Sequence, residues 1–290
     1  MTYDLFVGNA AYSSWSLRVW LLFDRFGIPF RVHWVDFMKG SVNDQLPQLD
    51  TVRTVPAIQP PDSPPVAESL AVAEELASRH PDLGLWPEDP NHRAVARTLA
   101  AEMHAGFFAL RESCPMNLYT SYSSFTPDAE TETDIARIVE IWSWARRICP
   151  SEGPWLLGSY SIADAFFAPV AARIAGYGIS VPESAQAYVD AHLSDPSFRR
   201  WRALALADGK LLAHYERTDN KAPWPGPVPL EAKAIGTGPS VNATCPYSGV
   251  PPTHFMESGG RIFGFCNAGC RDKTVADPEA WPQFMAIYQK

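Results

Sequence analysis

The chain has 290 residues, of which 46% are hydrophobic and 19% are charged. This composition is typical of a folded globular protein and argues against a disordered chain. At roughly 100–200 residues per domain, the length predicts two or three domains. The formal net charge is −8, and the sequence has no basic stripe, which disfavours a nucleic-acid-binding protein.

The first eight residues have neither the basic segment nor the long apolar run of a secretory signal peptide. The apolar stretch that begins at Trp20 is too short to span a bilayer. We therefore expect a soluble, cytoplasmic protein without a membrane partner.

Residues 1–82 have the pattern of a small α/β domain. Tyr3–Val7 alternates as a strand does, and residues 16–26 are apolar at helical spacing and end at Gly27. The same patterns predict further strands at 31–37, 54–58 and 66–67 and a helix at 69–79. The order β-α-β, loop, β-β-α is typical of a thioredoxin-like domain.

Residues 91–215 show helical periodicity throughout, so that we expect an all-helical domain there. The predicted helices lie at 92–111, 132–148 and 161–175, and two shorter ones lie within 183–208, separated at Asp195-Pro196. An all-helical domain that follows a small α/β domain restricts the choice of fold, because few folds have this order of domains.

The C-terminal part of the chain divides into a linker and a small module. Five prolines with glycines between them predict an extended, semi-stiff linker at 218–243. Residues 244–290 hold three of the five cysteines and are too few to fold through apolar burial alone. We expect a Cys-rich module there that requires a metal or a docking surface.

Ser13 and Ser14 lie between the first predicted strand and the first predicted helix. The start of a helix favours an anion, and a small hydroxyl there can donate a hydrogen bond to a thiolate. Such a bond lowers the pKa of a thiol from its usual value of about 8.5, which makes the thiolate available near neutral pH. The alternative is that the serines only cap the helix, a common role for serine.

The segment S-S-W-S-L-R at residues 13–18 resembles the serine-type glutathione S-transferases, which include the zeta class with its S-S-C-S-x-R motif. Four further segments resemble the family in the same chain order, namely Val55-Pro56, Glu68-Ser69, residues 101–104 and residues 155–165. The resemblance covers about residues 1–215. It implies the glutathione S-transferase fold and a cytosolic enzyme that conjugates glutathione, its co-substrate, to a small electrophile.

The resemblance also implies roles for individual residues. Ser13 is the implied catalytic serine, and Ser14 is its alternate, since spacing does not separate them. The remaining implied residues bind glutathione: Val55 and Pro56 as a cis pair at its cysteinyl part, and Glu68 and Ser69 at its γ-glutamyl end. Ser69 is further expected to be the N-cap of its helix.

The resemblance leaves other functions open. A glutathione-dependent cis-trans isomerase of the zeta type is one, although Trp15 replaces the cysteine of the zeta motif. A non-catalytic protein that binds glutathione is another. Arg18 either tunes the site or is a surface cation. The family also implies a homodimer, and two-fold dimers are the commonest oligomers.

No cysteine precedes Cys114. A thioredoxin-like domain without a thiol cannot perform C-x-x-C dithiol exchange. It also cannot form the mixed disulfide that cysteine-type members of the resembled family use. We expect Cys114 and Cys149 to be core residues.

The C-terminal module resembles the YHS family of small metal-binding domains, through C-P-Y-S-G, F-C-N-A-G-C and D-P-E. Cys245, Cys266 and Cys270 with His254 would form a tetrahedral site of three thiolates and one imidazole, suited to a structural zinc. The histidine is variable in the resembled family, so that His254 is the weakest of these four assignments. The alternative is reduced structural cysteines, or a disulfide between Cys266 and Cys270.

Overall fold

The computed structural model describes residues 2–49 and 52–290. It forms two units that are each contiguous in space but not in sequence. The first comprises the described residues up to Leu193 together with Leu212–Pro225. The second comprises Ser194–Leu211 and Gly226–Lys290.

The first unit begins with a mixed four-stranded sheet. Its strands are β1 (Tyr3–Val7), β2 (Phe30–Trp34), β3 (Ala57–Gln59) and β4 (Val66–Ala67), in the order β2-β1-β3-β4. Strand β1 is parallel to β2 and antiparallel to β3, which is antiparallel to β4. The predicted thioredoxin-like domain is thereby confirmed.

Three helices accompany this sheet: α1 (Ser14–Arg25), α2 (Val42–Gln45) and α3 (Ser69–Arg79). Helix α1 makes the crossover that two parallel strands require. It ends before Gly27, whose φ of +65° is a conformation that glycine adopts without a steric cost. Helix α1 packs against α3 on the sheet and thus positions the turn that precedes it.

The rest of the first unit is helical, as predicted. It contains α4 (Pro90–Ala105), α5 (Phe108–Ser113), α6 (Ala129–Ile148), α7 (Ile162–Gly176) and α8 (Glu183–Ser194), with a small ribbon of β5 (Ser121–Tyr122) and β6 (Lys221–Ala222). The helix expected over 92–111 is two helices, because Phe107 takes a left-handed φ of +61° directly after Gly106. Helix α7 is central to the helical part, since it packs against α1 and α4 and is buried over most of its length.

The second unit contains α9 (Pro196–Asp208), β7 (Lys233–Ile235), β8 (His254–Ser258), β9 (Arg261–Phe265), α10 (Ala268–Ala276) and α11 (Pro282–Tyr288). The three strands form an antiparallel sheet in the order β7-β8-β9. Its core joins Ala203 of α9 to residues of the Cys-rich region, namely Cys245, Met256, Phe263, Phe265, Ala280, Trp281 and Phe284.

Helix α9 was expected within the helical domain at 91–215, but it packs with the Cys-rich region instead. Arg199 on α9 donates two hydrogen bonds to Asp277, at 2.8 and 2.7 Å, and one to Glu279 at 3.2 Å. The expected linker at 218–243 also contains β7, which pairs with β8. The Cys-rich region thus buries its apolar residues with help from an element that precedes it by about 35 residues in sequence.

Within the described residues, every helix lacks the length or the apolar character that a bilayer crossing requires.

Candidate functional site

The turn between β1 and α1 holds both candidate serines. Ser13 is the N-cap of α1, and its Oγ accepts a hydrogen bond from the Ser16 backbone N–H at 3.3 Å. The Ser13 hydroxyl also donates to Ser16 Oγ at 2.8 Å, and Ser16 Oγ in turn accepts from the Gly8 N–H at 3.0 Å. The capping role considered from the sequence is therefore present, and it holds the Ser13 hydroxyl at the positive end of α1.

Ser14 has a different environment from Ser13. Its side chain is buried, and its Oγ accepts a hydrogen bond from Nη2 of Arg173 on α7, at 3.4 Å. Ser13 is only half-buried. The bond from Arg173 orients the Ser14 hydroxyl from a helix about 160 residues away in sequence.

Both serines face a cavity of about 280 Å³. Its walls also include Val55, Arg111, Arg173 and Tyr215, so that the α/β domain and the helical part of the first unit both contribute. This volume is at the small end of the range for ligand pockets in proteins. A small ligand in this cavity would lie against the serine turn.

The Val55-Pro56 peptide bond is cis, as the family resemblance implies. Both residues are buried, and Pro56 immediately precedes β3. Val55 lines the cavity together with the two serines. The structure thus brings Ser13, Ser14 and Val55 to one site.

Glu68 and Ser69 lie at the start of α3, outside the walls of this cavity. The expectation that Ser69 caps α3 is wrong: Glu68 holds the N-cap position, and Ser69 is the first helical residue. The cause is the backbone of Glu68, whose φ of +73° is a strained conformation for a residue other than glycine. The Ser69 hydroxyl is fully buried and lacks a hydrogen-bond partner among the described residues, so it is an unsatisfied polar group at a helix start, where an anion is favoured.

Arg18 is not a surface cation. Its side chain is only 1% exposed, and its guanidinium lies over the rings of Trp15 at 4.4 Å and Phe166 at 4.9 Å. Burial, together with the charges of Arg111 and Arg173, lowers the pKa of Arg18 well below its usual value. A cation–π environment replaces the water that an exposed arginine would have.

Sequence reasoning missed Arg111 and Arg173. Arg111 lies over the Trp15 ring at 4.7 Å, and its Nη2 donates to the carbonyls of Met103 and His104 at the end of α4. Burial and the charge of Arg111 lower the pKa of Arg173 to about 10. A signal for Arg173 does exist in the sequence, because it interrupts the otherwise apolar stretch of α7. No comparable signal marks Arg111.

The second unit brings three thiols together. The sulfurs of Cys245, Cys266 and Cys270 lie within 4.8 Å of one another, and those of Cys266 and Cys270 are 3.8 Å apart. Four ligands at about 2.3 Å from a tetrahedral zinc would stand about 3.8 Å apart. These three residues therefore fit a zinc ion by residue type and by spacing.

The electrostatics of Cys245 also fit a metal ligand. Burial alone would raise the pKa of its thiol, but backbone N–H groups of Cys266, Tyr247 and Ser248 lower it to about 7. Burial and the neighbouring thiols raise the pKa of Cys270 to about 12. A bound cation would favour deprotonation of all three thiols.

His254 is not brought to this group. Its Nδ1 lies 2.9 Å from Oγ1 of Thr253, and Thr253 donates to the Cys266 carbonyl. The four-ligand set expected from the sequence is thus reduced to its three cysteines in the described residues. Cys114 and Cys149 are buried in the first unit, as expected, and burial raises the pKa of the Cys114 thiol to about 12.

Known proteins share the fold of the first part of this chain. Residues 12–79 match the family model of the glutathione S-transferase N-terminal domain. A glutathione transferase homolog from Burkholderia gl BGR1, solved with bound glutathione, superimposes with a TM-score of 0.52 at 24% identity, over 69% of this chain and 96% of that chain. Glutathione transferase Omega 3C from Trametes versicolor superimposes with a TM-score of 0.53 at 20% identity, over 69% of this chain and 87% of that chain.

A curated protein is similar in sequence over a shorter region. A probable maleylacetoacetate isomerase from Caenorhabditis elegans is 30% identical over 93 residues, which are 32% of this chain and 42% of that protein. The matched region thus spans about two fifths of that relative. Together with the sheet order and the helical part, the comparisons show the glutathione S-transferase fold that the sequence predicted.

Proposed function

We propose that this protein is a glutathione S-transferase in which a serine hydroxyl activates the thiol of glutathione for attack on a small electrophile. The observation that carries the proposal is the serine turn at the start of α1, which opens into a cavity beside the cis Val55-Pro56 peptide. The match of residues 12–79 to the glutathione S-transferase N-terminal domain supports it.

The chemistry rests on stabilising a thiolate. A free thiol has a pKa of about 8.5, and each unit by which the pKa falls corresponds to about 1.4 kcal/mol. The helix start at Ser13 and one hydroxyl donor both favour the anion over the thiol. Together they are sufficient for a shift of one or two units.

Glutathione itself would be held by the residues that the family resemblance implies. Val55 lines the cavity, where its backbone would pair with the cysteinyl part. Glu68 and the unpartnered Ser69 hydroxyl would bind the γ-glutamyl end at the start of α3. A helix start suits the carboxylate that this end carries.

A second candidate function is a glutathione-dependent cis-trans isomerase. The similarity to a probable maleylacetoacetate isomerase favours it. Trp15, in place of the cysteine of the zeta motif, weighs against it, because its indole fills part of the cavity wall. Turnover of an aryl halide with glutathione, set beside an isomerase assay without net consumption of glutathione, separates the two functions. Glutathione binding with neither activity would contradict both.

We also propose that the protein is a cytoplasmic homodimer, as the resembled family implies. Sedimentation velocity at micromolar concentration should give one species of twice the chain mass. A single species of the chain mass would contradict the dimer.

We propose further that Cys245, Cys266 and Cys270 hold one structural zinc. Elemental analysis of gently purified protein should find about one metal per chain, and Cys245→Ser should lose it. The matched control is Cys149→Ser in the first unit, which removes a buried thiol without touching the group. Metal-free wild-type protein with an ordered second unit would contradict the proposal.

The position of α9 predicts which segments should loosen when the metal is removed. Because Ala203 of α9 shares a core with Cys245, chelation should loosen α9 as well as the Cys-rich region. Hydrogen exchange should therefore accelerate over 196–208 and 245–288, and not over β1 and α1. Faster exchange confined to 245–288 would show that α9 holds its structure independently.

A further inference from the structure

The cavity has walls of two kinds. One wall is cationic, formed by Arg111 and Arg173 beside the two serines. The other wall is aromatic and includes Tyr12 and Tyr215, whereas Trp15 lies under the Arg111 guanidinium. A ligand that satisfies both walls must carry an anionic group and a flat apolar body.

The arginines of the cationic wall have fewer negatively charged neighbours than they have positive charges. Arg173 directs its donors to the carbonyls of Cys114 and Pro169 and to the Ser14 hydroxyl, none of which carries a charge. Arg111 has one carboxylate nearby, that of Asp134, which compensates part of its charge and also accepts the Leu110 N–H. The Arg111 Nε is buried and has no hydrogen-bond partner within the described part of the chain.

Arg18 adds a third buried charge behind this wall. Its Nε and Nη1 are buried without a hydrogen-bond partner in residues 2–49 and 52–290, and its guanidinium lies over two aromatic rings. Buried cations without a counter-ion are costly, and an anion between them recovers part of that cost. The three arginines together therefore make this region a receptor for negative charge.

The aromatic wall is pre-arranged. Tyr12 is stacked on Tyr215 with ring centroids 4.5 Å apart, and its hydroxyl accepts the Leu212 N–H at 3.5 Å. Tyr119 packs edge-on against Tyr12 at 5.7 Å. Tyr12 is buried under this stack, and the half-buried Tyr215 is the ring that can offer a flat face to a planar ligand.

We propose that the acceptor substrate is a planar organic acid whose carboxylate is bound by Arg111 and Arg173 and whose ring lies against Tyr12 and Tyr215. This inference rests on the proposed glutathione transferase function. The thiolate then attacks the electrophilic ring carbon: a carbon–sulfur bond forms, and the leaving group departs with the electron pair of its bond. The carboxylate takes no part in the step and serves to place the ring.

A matched pair of acceptors tests the carboxylate. 4-Chloro-3-nitrobenzoate and 4-chloro-3-nitrobenzamide share the ring and the leaving chloride and differ in charge. With wild-type protein, kcat/KM should be higher for the benzoate, although its anionic group makes it the weaker electrophile. Arg111→Gln should lower kcat/KM for the benzoate by about 10- to 100-fold and for the benzamide by less than about 3-fold.

Two variants control for the loss of a charge. Arg147→Gln removes an exposed arginine on α6 and should change neither rate. Arg111→Lys keeps the charge and should retain part of the preference. If Arg111→Gln instead raises KM for glutathione with both acceptors equally, the arginines hold a carboxylate of glutathione, and the proposal is overturned.

Binding without turnover separates this proposal from the proposed function. Calorimetry with 3-nitrobenzoate and 3-nitrobenzamide, in the presence of S-methylglutathione, should show at least about tenfold tighter binding of the benzoate, lost in Arg111→Gln. Equal binding of the two overturns the planar-acid site whether or not the protein turns over any acceptor. A benzoate preference without conjugation would keep the site and reject the transferase function.

Discussion

Ser13→Ala should lower kcat/KM for conjugation by about 10- to 1000-fold, which corresponds to about 1.4–4 kcal/mol of lost transition-state stabilisation. The reason is that the Ser13 hydroxyl sits at the N-cap of α1 and faces the cavity. When glutathione binds, this hydroxyl would turn from Ser16 to the thiolate. The affinity for glutathione should change less, because the rest of that ligand contacts other residues.

The test must distinguish the loss of the helix cap from the loss of catalysis, because Ser13 caps α1 whether or not it is catalytic. Alanine at an N-cap costs about 1 kcal/mol of stability, whereas glycine costs a few tenths. Ser13→Gly should therefore keep the fold and still lose the rate. Ser14→Ala is the parallel variant. We expect a smaller loss of rate from it, because the Ser14 hydroxyl already accepts a hydrogen bond from Arg173. Unchanged activity in both alanine variants would reject the serine mechanism.

Much of the first unit follows from local sequence patterns. The periodicity of residues 69–79 predicts α3 at its observed bounds, and Asp195-Pro196 marks the break between α8 and α9. These elements are set by nearby residues, which a sequence displays directly. The break between α4 and α5 was missed because the left-handed conformation of Phe107 is rare outside glycine.

The cationic wall of the site could not be predicted in the same way. Arg173 on α7 meets Ser14 through the packing of α7 against α1, and Arg111 on α5 lines the same cavity. A motif search finds residues that are adjacent in sequence, such as Ser13 and Ser14. Charges that converge from distant elements become visible only once the fold is known.

The pairing of α9 with the Cys-rich region has a similar cause. The amphipathic pattern of α9 shows that it must bury a face but does not state against which partner. Arg199 with Asp277, and Ala203 with the core of the second unit, determine that choice. Such long-range pairs carry no local sequence signal.

Asp164 is the buried charge whose loss should matter most to stability. It is fully buried, and its Oδ1 accepts hydrogen bonds from the Leu156 N–H at 3.1 Å and the Tyr188 hydroxyl at 2.9 Å. Its Oδ2 accepts from the N–H and the hydroxyl of Ser161. One carboxylate thus closes the capping box of α7 and joins it to α8.

Asp164→Ala should lower the free energy of unfolding of the first unit by about 3–5 kcal/mol, because each buried donor left without an acceptor costs about 1–3 kcal/mol. Asp164→Asn should fall between alanine and the wild type, since its amide keeps one acceptor oxygen but turns two N–H groups toward existing donors. The control is Asp190→Ala on α8, an exposed carboxylate that accepts a hydrogen bond from Gln186, whose loss should cost less than about 0.5 kcal/mol. Urea denaturation followed by circular dichroism measures all three. If Asp164→Ala lies within about 1 kcal/mol of the Asp190→Ala control, this hydrogen-bond network does not stabilise the helical part, and α7 is held by its apolar packing alone.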